Sequence, residues 1–157
     1  MTIKLIQIDK TSDSYLSDGI SIYQKRLKNY CSFEICTINM PKVVRQKTVP
    51  EQKREEAKLI LAELGSSDTL IVLDENGKKF TSRGFSELIE KHQNTSTKRL
   101  VFLIGGPFGF DQSIFERTHL KLSLSDMTFS HQMIRLFFIE QLYRAYTILK
   151  GEKYHHD

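Results

Sequence analysis

Two short runs of uninterrupted apolar residues, Thr69–Leu73 (TLIVL) and Leu100–Ile104 (LVFLI), place the tightest limit on how this chain folds. A strand with water on one face alternates apolar and polar residues. A strand apolar throughout is covered on both faces, as happens inside a parallel sheet with helices on either side. Three further segments, Ile3–Ile8, Phe33–Asn39 and Leu120–Leu124, read as strands, and helical patterns alternate with all five. Leu16, Ile20, Tyr23, Leu27 and Tyr30 fall on one helical face. A second helix runs from Pro50 to about Leu64 with Ala57, Ile60, Leu61 and Leu64 inward, and Gly65 stops it. Phe85, Leu88 and Ile89 mark a third, Asp111–Thr118 a short fourth, and a last helix extends from about His131 to Lys150. Asp74–Gly77 reads as a turn, Gly105–Phe110 as a glycine-rich turn, and Met40–Pro50 as a loop holding Lys42, Arg45 and Lys47 with no acid. The alternation predicts one α/β domain over residues 1–157, a mostly parallel sheet flanked by helices. No repeat, low-complexity tract or linker divides it.

The last helix carries apolar side chains around most of its circumference: Met133, Ile134, Leu136, Phe137, Phe138, Ile139, Leu142, Tyr143, Tyr146, Ile148 and Leu149. Such a helix is buried on more than one side. The sheet covers one side, and a second copy of the chain is the natural cover for the other. The longest apolar stretch here, Leu136–Ile139, ends at Glu140, far short of a membrane span. The N-terminal MTIKLIQIDK alternates like a strand and lacks the apolar run of a signal peptide, so the expected location is the cytoplasm. Cys31 and Cys36 are too far apart along an extended strand for a disulfide and form no zinc-ligand pair. His92 and His119 have no partner at metal spacing, and no metal site is expected. A net charge of +4 suits a polyanionic partner without demanding one.

The segment Leu103–Phe110, LIGGPFGF, carries the clearest chemical signal. A buried strand ending in two glycines lets the backbone approach a ligand closely, and open α/β sheets bind ligands beyond the carboxyl ends of their strands. Two other strand ends converge on such a site by the same rule: Leu73-Asp74 with Gly77, and Leu124–Phe129 (LSDMTF) leading to Ser130 and His131. A dinucleotide-binding strand–helix turn needs G-x-G-x-x-G after the first strand, where this chain has Asp9–Asp13 without glycine; a Walker A motif is also absent. A nicotinamide oxidoreductase is therefore a poor reading. His131 at a helix start is biased toward its neutral form, and Ser130 serves equally as an N-cap.

Taken together, IGGPFG, LSDMTF-S-HQMIRLFFIEQLYRAY, the LIVLDENGK turn and the terminal KYHH resemble the ribosomal RNA large subunit methyltransferase H family, pseudouridine N3-methyltransferases of 23S rRNA in the SPOUT superfamily. The resemblance spans the entire chain. It implies an α/β fold with a C-terminal trefoil knot, a homodimer, and S-adenosyl-L-methionine as cofactor. It places cofactor contacts on Leu73, Gly105, Leu124, Ser125, Asp126, Met127, Thr128 and Phe129. It places the substrate side on His131, Arg135, Arg144, Tyr154 and His155. Ser130 stands where many relatives have proline, and His156 where Arg or Lys is usual.

The resemblance also frames the chemistry. The donor's methyl is already activated, so the protein binds, orients and excludes water. The acceptor, an imide nitrogen, is poor until its proton leaves. His155 and His131 are the alternative proton acceptors, with Arg135 a stabiliser of the developing anion. Lys42, Arg45 and Lys47, with Lys25, Arg26 and Lys28, are candidates for rRNA phosphate contacts. So small a domain is expected to act on the assembled ribosome. A knotted methyltransferase acting on transfer RNA or another rRNA position is the alternative enzyme, and a non-catalytic ribosome-binding protein the alternative class.

Overall fold

A computed structural model describes residues 1–157. Five parallel strands, β1 (Thr2–Ile8), β2 (Ser32–Ile38), β3 (Thr69–Lys79), β4 (Arg99–Ile104) and β5 (Leu120–Ser123), form one sheet in the order β2-β1-β4-β3-β5. Between and after them lie α1 (Ser14–Leu27), α2 (Val49–Ala62), α3 (Ser82–Asn94), α4 (Gln112–Arg117) and α5 (Met133–Leu149). The expected α/β architecture is the observed one.

The apolar runs are covered on both faces because alternate residues enter different cores. Leu100, Phe102 and Ile104 of β4 join Ile3, Leu5 and Ile71 under α1, α3 and α5. Val101 and Leu103 join Ile6, Leu70 and Val72 under α2 and α4, with Ala57, Ile60 and Ile114. Burying whole apolar side chains in this way contributes roughly 1.5–3 kcal/mol each. Of the buried polar residues on β1, Lys4 donates to Glu63 at 3.0 Å and Gln7 Nε2 to Thr37 at 3.0 Å, while Gln7 Oε1 has no partner. Cys31 and Cys36 are free thiols.

α5 packs between α1 and α3 on the first face. At Gly19 of α1 an added Cβ would stand 3.0 Å from Leu136 Cδ1, so the glycine allows the two helices a close approach. The far side of α5 stays partly open, with Phe137 exposed beside the half-exposed Leu136, Tyr143 and Ile148.

Two expectations need correcting. Tyr30 lies beyond α1, which ends at Leu27, and its N–H closes a turn onto the Leu27 carbonyl. Asp74–Gly77 does not end β3. The Asn76 N–H bonds the Asp74 carboxylate at 2.8 Å, as turn chemistry predicts, but the chain stays extended to Lys79. Leu73 and Lys78 both pair with Leu122 of β5, so the four residues between them make a detour within one strand. Gly77 permits it, since a Cβ there would stand 2.6 Å from the Lys121 carbonyl carbon. Pairing to a neighbouring strand overrides the local turn signal.

Candidate functional site

The carboxyl ends of β3, β4 and β5 surround a cleft of about 590 Å³. From β3 come Leu73, Asp74, Glu75 and Asn76; from the turn after β4, Gly105, Gly106, Pro107, Gly109 and Phe110. The segment after β5 supplies Leu124, Ser125, Met127, Thr128, Phe129, Ser130 and His131, and α2 adds Lys53.

Local bonds set each wall. The turn after β4 folds back so that the Phe110 ring lies under Gly105, where a Cβ would meet Phe110 Cε1 at 2.7 Å. Gly109 has φ +78°, a conformation glycine adopts without strain. In the third wall the Ser125 hydroxyl accepts from Met127 N at 2.9 Å, and Ser123 Oγ donates to the Ser125 carbonyl at 2.9 Å. The Thr128 hydroxyl donates to Glu75 at 2.9 Å, tying this wall to the β3 detour. Ser130 caps α5: its hydroxyl accepts from Met133 N at 3.1 Å. His131 on the cleft wall has its pKa lowered by burial and then by the Arg135 charge, which favours the neutral ring.

A second polar cluster gathers on the middle of α5, where the C-terminal tail folds back onto it. Arg144 donates to Glu140 at 2.6 Å and lies 3.3 Å from His155 Nδ1. The Tyr154 hydroxyl donates to Glu140 at 2.9 Å and sits 3.2 Å from the Tyr23 hydroxyl. Its ring packs on Tyr143, and the Arg144 guanidinium stacks over it at 4.7 Å. None of these residues lines the cleft; Glu140 and Arg144 stand roughly 10 and 17 Å along α5 from its first residue, Met133.

The family model described as "Predicted SPOUT methyltransferase" matches residues 1–155. The chain belongs to the SPOUT methyltransferase family. It is 53% identical to "Ribosomal RNA large subunit methyltransferase H" of Christiangramia forsetii over 156 residues, 99% of each chain. The protein of that name from Flavobacterium johnsoniae is also 53% identical over 99% of each chain, and that from Parabacteroides distasonis 50% over the full length of both.

Within this SPOUT chain the fold brings together most of the residues on which the family resemblance places cofactor contacts. Leu73, Gly105, Leu124, Ser125, Met127, Thr128 and Phe129 share the cleft with His131. Asp126 turns away from it, and its exposed carboxylate pairs with Lys79. Arg135, expected on the substrate side, is wholly buried instead. Its guanidinium donates to the Ile8 carbonyl, the Asp9 carbonyl at 3.0 Å and the Thr11 hydroxyl at 3.1 Å, fastening the first turn of α5 to the end of β1. Arg144, Tyr154 and His155 form the separate tail cluster. Of the basic loop, Arg45 pairs with Asp9 and Lys47 stands 4.0 Å from Glu55. Sequence reasoning missed Lys53 and Ile134 as lining residues. The stripe Ala57–Ile60 set the inward face of α2, but nothing local says which strand end the helix start overhangs.

No cluster of three His, Cys, Asp or Glu side chains is placed to hold a metal ion, and no helix is long and apolar enough to cross a membrane.

Proposed function

We propose that this protein transfers the methyl group of S-adenosyl-L-methionine to N3 of a pseudouridine in 23S rRNA, acting in the cytoplasm on the assembled ribosome as a homodimer with a knotted C-terminal part. The observation that carries the reading is the convergence of three separate strand ends on one cleft. Its volume lies in the range of small-molecule sites. Leu73, Ile104, Leu122 and Leu124 offer apolar walls for a nucleoside, while the Gly105-Gly106 backbone and the Ser125 and Thr128 hydroxyls offer polar partners. The residues present therefore fit such a cofactor, which when bound supplies an activated methyl on a sulfonium. The detour of β3 around the end of β5, with the chain leaving β5 past it toward α5, suits the knot that the resemblance implies.

The chain's own residues then orient, exclude water and manage one proton. His131 on the cleft wall, its neutral ring favoured, accepts the N3 proton of the target base. Arg144, Tyr154 and His155 do not line the cleft of their own chain, and they serve the cleft of a second copy. The partly open faces of α1 and α5 supply an apolar surface for that copy, with Ile22 and Phe137 exposed. Lys53 at the cleft and the exposed Lys42 contribute positive charge toward the phosphates.

Labelled methyl transfer to intact ribosomes, isolated large subunits and naked rRNA, all lacking the native modification, tests the reading. Incorporation into intact ribosomes alone, mapped to N3 of a pseudouridine, is the expected result. Incorporation into none of the three rejects it.

A further inference from the structure

The carboxylate of Glu56 is not among the cleft-lining groups, yet it lies directly behind one of them. Glu56 is mostly buried on α2, one helical turn after Lys53. Its Oε1 is 3.5 Å from Gly106 N and is the acceptor that this amide faces. A Cβ added to Gly106 would stand 3.1 Å from Oε2. The turn is thus held from behind at both glycines, Gly105 by the Phe110 ring and Gly106 by this carboxylate, while its other side forms a wall of the cleft. Glu56 makes no ion pair: Asp9, Arg45 and Lys53 are its charged neighbours, and burial pushes its carboxyl up to about 7. Ionising a carboxyl whose charged form burial disfavours works against stability.

We propose that Glu56 is a positioning residue of the cleft, its carboxylate fixing the Gly105-Gly106 backbone in the orientation that the methyl donor binds. The inference rests on the cofactor reading above. Glu56 acts through the Gly106 amide and touches no ligand. The space behind Gly106 is shared, so the two residues are coupled: a methyl on Gly106 presses on the carboxylate, and removing the carboxylate makes room for the methyl.

Titration calorimetry with S-adenosyl-L-methionine on wild type, Glu56→Ala, Glu56→Gln, Gly106→Ala and the double variant Glu56→Ala/Gly106→Ala tests this. The alanine variant is expected to bind the donor about tenfold more weakly, the size of one lost hydrogen bond. Its thermal midpoint should not fall, and its turnover at saturating donor should stay near wild type. Glu56→Gln keeps an acceptor for the Gly106 amide and is expected to restore most of the affinity. The double variant should lose less than the two single losses combined. Wild-type affinity in Glu56→Ala, or equal losses in the Ala and Gln variants, overturns the inference alone. Wild-type protein that binds no donor overturns the cofactor reading and this inference with it. If Glu56→Ala does not fold, Glu56→Asp, which withdraws the carboxylate by one methylene, decides: weakened binding supports the role, and unchanged binding ends it.

Discussion

Arg135 and Glu56 are ionisable side chains inside the protein, each held against backbone rather than against an opposite charge. For Arg135, burial lowers the pKa from its ordinary value, offset in part by Asp9. It holds the chain where Asp9 takes φ 58°, a rare conformation outside glycine. Arg135→Met leaves the carbonyls of Ile8 and Asp9 without that donor. The expected cost is roughly 2–4 kcal/mol of stability, from two unpaired buried acceptors, read as a lower urea midpoint. A variant equal in stability to wild type but defective only in RNA binding would return Arg135 to the substrate side. Glu56 makes a pH prediction. In the unfolded chain its carboxyl releases its proton near the ordinary value of 4.5, while the folded protein holds it until about 7. Between those values the folded state binds the extra proton, so this group's contribution to stability declines as pH rises through the window and levels off above it. Burial sets most of the effect; the Gly106 amide, Arg45 and Lys53 oppose it and Asp9 adds to it. Glu56→Gln should flatten that slope in urea titrations between pH 5 and 8, and an unaltered slope would show that the carboxyl titrates normally. Neither role could be read from the sequence. Glu56 meets Gly106 across 50 residues, and Arg135 meets Ile8 across 127. Gly105 and the LSDMTF segment were legible because strand ends and glycine turns are local patterns.

At the scale of elements, α2 shows local and distant signals agreeing. Thr48 accepts from Glu51 N at 3.4 Å while the Glu51 carboxylate accepts from Thr48 N at 3.0 Å, a reciprocal capping box written in the sequence three residues apart. Thr48→Ala is expected to cost about 1 kcal/mol and, because Lys53 and Glu56 lie on the following turns, to weaken donor binding as well. Thermal unfolding and calorimetry on the same sample check both halves. β3 shows the opposite case. The Asp74–Gly77 segment has the composition of a turn and makes the side-chain bond of one, yet β5 pairs on either side of it. Sheet pairing between residues about fifty positions apart leaves no periodic trace, which is why the strand's true end at Lys79 was hidden. The strands Thr69–Leu73 and Leu100–Ile104 were legible because burial on both faces writes itself as an unbroken apolar run.

At the scale of the molecule, the tail cluster packs on the middle of α5 and does not line the cleft, so one chain alone leaves the proposed site divided. Replacing Phe137, which is 38% exposed and paired with Phe129 at 4.7 Å between ring centroids, by Glu should therefore separate the copies and abolish methyl transfer together. Sedimentation velocity alongside the ribosome assay checks it; a fully active monomer would show that each chain works alone. The strand order carries a different consequence. β1 is made well before its second neighbour, β4, which begins at Arg99, opposite Thr2. During synthesis at roughly 5–20 residues per second, one edge of a strand that ends up almost wholly buried stays unpaired for about 5–20 s after it is made. Through that interval the nascent chain carries an open template for strand addition, so this small protein is exposed to misassembly chiefly while still on the ribosome that makes it.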